Sequence, residues 1–132
     1  MECEKLTEQI IGCAYKVYKK LGYGFLEAVY EKALLIELRN NGLTAASQMS
    51  INVMYDGENV GSYFCDILVE QTVIIELKSV SNIVTAHEVQ LVNYLTATEK
   101  PVGLIINFGE RVVEVKRKVR KLSNPNNPVN PV

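Results

Sequence analysis

Two carboxylates and one lysine interrupt apolar stretches in the middle of the chain. Glu76 and Lys78 lie at the end of the apolar run that begins at Val73, and Asp66 interrupts another such run ten residues before Glu76. Because side chains alternate between the two faces of a strand, Glu76 and Lys78 project from the same face. Charged groups in such runs are costly to desolvate, so they indicate either a salt bridge at a strand end or a binding function.

The spacing between Asp66 and Glu76 bears on this choice. If the two strands form a hairpin, a three-residue loop of residues 70–72 sets Asp66 opposite Glu76. Two carboxylates held face to face repel each other, and a divalent cation between them relieves the repulsion. Mg²⁺ commonly uses one or two carboxylates and completes its octahedral shell with water and phosphate oxygens. The pattern predicts a metal site in which Lys78 orients the attacking water or neutralises charge on a phosphate.

Polar side chains on two predicted helices could complete this site. His87, Gln90 and Tyr94 recur at spacings of three and four residues, which places them on one helix face. Gln90 and Tyr94 would hold a water or a phosphate, or they would form a half-exposed helix flank without a ligand. We expect His87, the single histidine, to support the site rather than to bind a metal. Glu27 begins an earlier helix, where the helix dipole favours an acid with or without a function.

Composition sets the class of the protein. A chain of 132 residues, 48% hydrophobic and 22% charged, suits one compact domain. No apolar run approaches the roughly 18 to 20 residues that span a bilayer, so we expect a cytoplasmic protein without membrane contact. The three cysteines show neither a disulfide framework nor a zinc-site spacing.

Charge is unevenly distributed along the chain. Residues 41–109 contain seven acids and two bases, whereas residues 110–132 contain two acids and six bases. This separation suits carboxylates that hold a cation beside a basic strip that binds phosphates, but a solvated acidic face with a basic tail gives the same counts. The candidates for nucleic-acid contact in the basic strip are Lys116, Arg117, Lys118 and Arg120.

Hydrophobic periodicity predicts the elements that must position these side chains. A three-four spacing predicts helices over residues 6–21, 25–40 and 84–98. Alternating or β-branched runs predict strands over residues 51–55, 61–69, 73–77, 102–108 and 112–116, with a turn at Asp56 and Gly57. The order ααβββαββ predicts an α/β fold with a mixed sheet flanked by helices. We expect residues 1–122 to form this domain and the Pro- and Asn-rich residues 123–132 to form a flexible tail.

Several of these segments resemble the bacterial and archaeal GxxExxY protein family. Gly24, Glu27 and Tyr30 stand in the spacing after which that family is named. The resemblance extends to about Lys116, through residues 42–43, 53–57, 66–70, 75–78, 87–95 and 103–109. So many segments in the same order make a chance resemblance improbable.

That family is similar to the PD-(D/E)xK nuclease superfamily, which has a restriction-endonuclease-like core. The resemblance implies that Asp66 and Glu76 bind Mg²⁺ or Mn²⁺ and that Lys78 joins them in phosphodiester hydrolysis. Cys65 stands where the motif has its proline, a departure that affects no ligand.

The RecB-like branch of the superfamily adds two further features. One is a Gln-x-x-x-Tyr motif on the helix that follows, which Gln90 and Tyr94 match. The other is an acidic residue on an earlier helix, for which Glu27 is the candidate metal ligand.

Two functions remain open at this stage. The first is a metal-dependent nuclease, with DNA as the expected polymer. The second is a nuclease-fold protein without activity that serves as a nucleic-acid-binding or protein-binding subunit. Because a domain of this size lacks a separate recognition module, we expect self-association or a protein partner to supply specificity. The complete set of Asp66, Glu76 and Lys78 favours the first function, since a site without a function has no reason to keep three costly polar residues together.

Overall fold

A computed structural model of the chain describes residues 3–120. The helices are α1 (Glu4–Leu21), α2 (Glu27–Asn40) and α3 (Thr85–Thr98). The strands are β1 (Ala45–Tyr55), β2 (Glu58–Val69), β3 (Val73–Lys78), β4 (Val102–Phe108) and β5 (Val113–Val119). The predicted order ααβββαββ is confirmed. The predicted tail, residues 123–132, lies outside the described residues, and the extent of the domain stays a prediction.

The strands form one mixed sheet in the order β1-β2-β3-β4-β5. Neighbouring strands are antiparallel except β3 and β4, which are parallel. A parallel pair requires a crossover connection, and α3 provides it. Within residues 3–120, no helix is both long enough and apolar enough to cross a bilayer.

Each face of the sheet carries its own hydrophobic core. On one face, α1 and α2 pack on side chains such as Ile75, and Leu34 of α2 lies in this cluster. On the other face, α3 contributes Leu91 to a second cluster that contains Ile74. All seven residues of β4 are buried between the two layers. A strand covered on both faces has no polar side to alternate with, which explains the unbroken apolar run in this part of the sequence.

The β1–β2 hairpin is longer than the sequence predicted. Its strands begin at Ala45 and end at Val69, whereas alternation indicated only residues 51–55 and 61–69. Asp56 and Gly57 have φ values of 49° and 78°, the left-handed backbone that a two-residue hairpin turn needs. The extra residues belong to the strands through pairing with the partner strand, although most of their side chains are exposed. Exposed strand residues leave little hydrophobic pattern in a sequence.

Helix α3 approaches the sheet very closely at Gly103 of β4. A methyl group added to Gly103 would lie 2.7 Å from Cδ1 of Leu91, a side chain that is fully buried. In a close-packed interior, either α3 would have to move outward or Leu91 would have to change rotamer. Gly103 therefore sets the distance between the sheet and the helix that carries Gln90 and Tyr94.

We expect Gly103→Ala to lower the free energy of unfolding by about 1–3 kcal/mol, which is the usual effect of overpacking a core. Gly12→Ala is the matched control, because Gly12 lies within α1 with no atom near an added methyl group. Alanine there should raise the free energy of unfolding by about 0.5–1 kcal/mol. Urea unfolding followed by circular dichroism measures both changes. Effects of the same sign in the two variants would contradict the packing role of Gly103.

Candidate metal centre

Asp66 and Glu76 meet where β2 and β3 stop pairing. The ladder between the two strands ends at the pair Ile67 and Ile75, in the register that a three-residue loop predicts. One step further, the same register would bring Asp66 opposite Glu76. Instead of continuing the ladder, Oδ2 of Asp66 accepts a hydrogen bond from the amide of Leu77 at 2.7 Å. The Asp66 carboxylate is therefore held against the end of β3.

The local course of β2 explains how Asp66 leaves the ladder. Cys65 and Leu68 both belong to the core on the α3 side, whereas Ile67 belongs to the opposite core, so strict alternation fails between them. On β1, the residue opposite Asp66 is Gln48, which has a left-handed backbone with φ of 56° and is skipped in the pairing. This irregularity frees the Asp66 side chain to reach β3.

Glu76 is a partly buried carboxyl group in an unfavourable electrostatic environment. Its Oε1 is shielded from water and has no hydrogen-bond partner among the residues that the structure describes. Burial, together with the negative charge of Asp66, raises the pKa of Glu76 to about 8, although Lys78 acts in the opposite direction. An unsatisfied buried acceptor costs about 1–3 kcal/mol. A cation beside the two carboxylates would relieve both the repulsion and the missing hydrogen bond.

The donor atoms of this pair suit a hard divalent cation. Mg²⁺ and Mn²⁺ prefer oxygen ligands, and Mg²⁺ often binds through only one or two carboxylates. Between residues 3 and 120, no group of three or more His, Cys, Asp and Glu side chains is arranged to hold a metal ion. Asp66 and Glu76 would therefore be the protein ligands, and water or substrate oxygens would complete the coordination shell.

A further acid of α2, Glu31, lies within the electrostatic reach of Asp66. Glu27 is exposed in the first turn of the helix. One turn later, burial and then the negative charge of Asp66 raise the pKa of Glu31. Oε1 of Glu31 also accepts a hydrogen bond from Nε2 of Gln48, the residue opposite Asp66 on β1, at 3.0 Å. Glu31 was not predicted, and its four-residue spacing from Glu27 is the signal that could have found it. Glu27 as a ligand stays a prediction.

The residues around the Gly-x-x-Glu-x-x-Tyr motif hold the start of α2 beside the site. Tyr30 is fully buried and stacks on Phe108, with ring centroids 4.2 Å apart. Its hydroxyl donates to the carbonyl of Gly22 and accepts from the amide of Phe25. The hydroxyl of Ser79, which follows β3, donates to the carbonyl of Phe25 at 3.1 Å. The motif tyrosine thus anchors the loop before α2 to the core.

Lys78 ends β3 on the same face as Glu76. Its partner in β4 is Asn107, which is fully buried. The side-chain amide of Asn107 accepts from the amide of Val80 and donates to its carbonyl, both at 2.9 Å, and also donates to Glu114. These bonds fix the turn that follows Lys78. A single amide residue in an otherwise apolar strand was the signal for Asn107, which the sequence analysis missed.

The three polar residues predicted on α3 have different environments. Tyr94 is nearly buried, and burial, followed by the negative charge of Glu76, raises its pKa. Gln90 is exposed one turn away and lines the same groove as Tyr94. Nδ1 of His87 accepts a hydrogen bond from the amide of Val84 at 3.2 Å, so His87 caps the start of α3. Tyr94 is therefore the member of this set that lies nearest to the carboxylates, and the roles of all three toward a substrate stay predictions.

The basic residues of β5 do not share one face of the sheet. Lys116 pairs with Ile105, whose side chain lies on the α3 side, whereas Arg117 pairs with Leu104, whose side chain lies on the opposite side. Lys118 returns to the α3 side because side chains alternate along a strand. Since β5 is two strands from β3, these groups lie about 10 Å from the carboxylate pair in the plane of the sheet.

Lys118 and Arg120 are among the basic side chains that already have partners. Nζ of Lys118 forms an ion pair with Oε1 of Glu88 at 2.6 Å. The guanidinium of Arg120 donates to the carbonyl of Glu99 at 2.8 Å. Contact of Lys118 and Arg120 with nucleic acid would compete with these bonds. Such contact stays a prediction.

In the absence of a metal ion, the ionisation of Glu76 should make stability fall with pH. The ordinary pKa of this carboxyl is 4.5, and in the folded protein it is about 8. Between these values the folded protein keeps a proton that the unfolded chain has lost, so the free energy of unfolding decreases as pH rises. We expect Glu76→Gln to be more stable than the wild type at pH 8, by on the order of a few kcal/mol, and to lose this advantage towards pH 5.

Denaturant unfolding in a chelating buffer at both pH values measures this difference. Glu8→Gln is the control, because it makes the same change of side chain at an exposed position of α1. A stability difference for Glu76→Gln that is the same at pH 5 and pH 8 would contradict the buried ionisation.

Comparison with known proteins agrees with this architecture. The family model of the PD-(D/E)XK nuclease superfamily matches residues 4–121. The crystal structure of SSO0001 is similar with a TM-score of 0.57 and 16% identity, over 74% of this chain and 52% of that one. An alkaline exonuclease, LHK-Exo from Laribacter hongkongensis, is similar with a TM-score of 0.53 and 10% identity, over 92% of this chain and 72% of that one.

The family match, rather than the two structures, assigns the chain to a superfamily. No curated protein matches the chain, and the chain spans about half the length of SSO0001. At identities of 16% and 10%, the two structures show a shared fold alone. The family match covers nearly the whole chain and includes the strands that bring Asp66, Glu76 and Lys78 together. The chain belongs to the PD-(D/E)XK nuclease superfamily.

Proposed function

We propose that this protein is a Mg²⁺- or Mn²⁺-dependent nuclease that hydrolyses phosphodiester bonds in nucleic acid, with DNA as the expected polymer. The observation that carries the proposal is the pair of carboxylates at the end of the β2–β3 ladder. Asp66 is fixed there by the Leu77 amide, and Glu76 presents a buried oxygen without a partner. Membership in a nuclease superfamily supports the same chemistry.

A divalent cation bound by Asp66 and Glu76 would activate a water molecule and neutralise the charge that develops on the phosphate. Hydrolysis joins the water oxygen to phosphorus, breaks one phosphorus–oxygen ester bond and transfers a proton to the alcohol that leaves. Asp66 contributes a carboxylate whose orientation is set by its hydrogen bond to the backbone. Glu76 must lose its proton to bind the metal ion, so the affinity of this site for the metal depends on pH.

Lys78 supplies positive charge on the same face of β3 as Glu76, which is where negative charge on the reacting phosphate would develop. Gln90 and Tyr94 would hold the water or a phosphate oxygen from the α3 side, as in the RecB-like branch with its Gln-x-x-x-Tyr motif. The acid that this branch carries on an earlier helix would come from α2, where Glu27 and Glu31 are the candidates. Self-association or a protein partner that adds specificity stays a prediction.

Asp66→Asn and Lys78→Met should each reduce metal-dependent cleavage by about 10²–10³-fold, which is the usual effect of removing one group that stabilises a charged transition state. Labelled single-stranded and double-stranded DNA and RNA, incubated with Mg²⁺ or Mn²⁺, measure cleavage and identify the substrate. Titration calorimetry of the metal ion into the wild type and Asp66→Asn tests the site itself. Glu8→Gln, on the exposed part of α1, should cleave at the wild-type rate.

The outcome also separates the two functions that the sequence left open. Cleavage by the wild type that is unchanged in Asp66→Asn would contradict the assigned site. Oligonucleotide binding that survives Asp66→Asn, with no metal binding and no cleavage by the wild type, would instead favour a nuclease-fold binding subunit.

Glu27→Gln and Glu31→Gln test which acid of α2 supports the metal. Because Glu31 is hydrogen-bonded to Gln48 and lies within the electrostatic reach of Asp66, we expect Glu31→Gln to weaken metal binding by about 10–100-fold. The exposed Glu27 should have a smaller effect. Titration calorimetry measures the affinity of both variants for Mn²⁺. A larger loss of affinity in Glu27→Gln than in Glu31→Gln would assign the role to Glu27.

A further inference from the structure

An open groove lies between the β1–β2 hairpin and α3, next to the carboxylate pair. Its volume is about 960 Å³, at the upper end of the range for ligand sites. Its walls include Tyr63 of β2 together with Gln90, Asn93 and Tyr94 of α3. Tyr94, which lines the groove, lies within the electrostatic reach of Glu76 and Asp66 and so connects the groove with the proposed site.

Several polar side chains of this groove have no hydrogen-bond partner within the described part of the chain, although Asn52 bonds to Ser62 and Thr96 to the carbonyl of Val92. Gln90 and Asn93 are exposed, and neither carboxamide makes a hydrogen bond to another residue between 3 and 120. The hydroxyl groups of Tyr63 and Tyr94 are likewise without hydrogen-bond partners in this range. Each carboxamide offers two donors and an acceptor oxygen. These groups are therefore available to a ligand with several donors and acceptors on its edge.

Tyr63 gives the groove an aromatic surface. Its ring centroid is 5.6 Å from that of Tyr94, with the planes tilted by 39°. The ring also lies beside Gly61, where an added methyl group would be 3.3 Å from it. Nevertheless, 46% of Tyr63 is exposed, because its remaining surface faces the groove. A fixed and half-exposed aromatic ring can stack on a planar ligand.

The charge of the groove limits what such a ligand can be. Of the described residues that line it, none is charged. A phosphate backbone requires Lys or Arg side chains to replace its counterions, so this surface does not suit phosphates. Nucleobases are neutral and planar, and they carry donors and acceptors on their edges. In a duplex those faces and edges are covered, whereas an unpaired strand exposes them.

We propose that this groove binds the bases of an unpaired nucleic-acid strand, with Tyr63 as the stacking platform and Asn93 as a hydrogen-bonding partner. The inference rests on the proposed nuclease function, for which it names the substrate class as single-stranded. The nucleic-acid strand would lie with its bases towards α3 and the hairpin. Its sugar-phosphate backbone would reach the carboxylate pair past Tyr94.

Fluorescence anisotropy in a chelating buffer tests the groove without cleavage. The probes are labelled oligo(dT), oligo(rU), an abasic deoxyribose-phosphate strand and a duplex of equal length. We expect the wild type to bind at least one of the two homopolymers more tightly than the duplex and the abasic strand. Tyr63→Ala should weaken that binding by about 5- to 150-fold, the loss expected for one stacked base. Tyr63→Phe, which keeps the ring, should bind like the wild type.

Tyr55→Ala is the matched control, because Tyr55 is an exposed tyrosine of the same hairpin that does not line the groove. Thermal unfolding of each variant checks that the fold is retained. The proposal would be overturned if Tyr63→Ala and Tyr55→Ala bound with equal affinity. It would also be overturned if the wild type bound oligo(dT), the abasic strand and the duplex with equal affinity. Failure of the wild type to bind either homopolymer would overturn it as well.

Failure of the groove and failure of the nuclease function give different results. Metal-dependent cleavage that needs Asp66, combined with binding that does not depend on Tyr63, would overturn the groove alone. Base-dependent binding through Tyr63, without cleavage by the wild type in Mg²⁺ or Mn²⁺, would overturn the nuclease function and support the groove. The tighter of oligo(dT) and oligo(rU) identifies the polymer in that case.

Discussion

The repulsion between the carboxylates of Asp66 and Glu76 is the constraint on which the rest of the site depends. β2 leaves its ladder at Asp66, and the Leu77 amide then holds this carboxylate at the end of β3. Glu76 remains partly buried with one oxygen unsatisfied, which is unfavourable in the absence of a cation. Costs of this kind persist at functional sites only when the surrounding structure imposes them. Here β4, buried on both faces, supplies that support as the neighbour of β3.

Elements from both faces of the sheet are held at this point by specific contacts. On one face, the buried Tyr30 anchors the loop before α2 and so positions the helix that carries Glu31. On the other face, the missing side chain of Gly103 lets Leu91 approach the sheet, and α3 brings Tyr94 close to the carboxylates. The site is therefore assembled from rigid helices and strands, which hold side chains more accurately than loops do.

The distribution of charge separates the proposed metal centre from the proposed groove in a way that net charge conceals. The acids of the middle segment supply the carboxylate pair, while the bases of β5 lie two strands away and are divided between the faces of the sheet. Lys118 is neutralised by Glu88. The uncharged groove beside the pair is the surface that offers unpaired hydrogen-bonding groups and an exposed ring. Recognition of bases is consistent with this division, because no cationic side chain lines the groove among residues 3–120.

The sequence by itself determined the order of the elements and the register of β2 with β3, since both follow from local periodicity and loop length. The same register would set Asp66 opposite Glu76, but the ladder ends one pair earlier and Asp66 accepts a hydrogen bond from the Leu77 amide instead. Only the tertiary structure brought Glu31 of α2 within the electrostatic reach of Asp66, because helix rotation depends on packing against the sheet. The sequence did not determine the ion pair of Lys118 with Glu88 or the groove between the β1–β2 hairpin and α3, since both involve residues far apart in the chain. Long-range packing leaves no periodic signal in a single sequence.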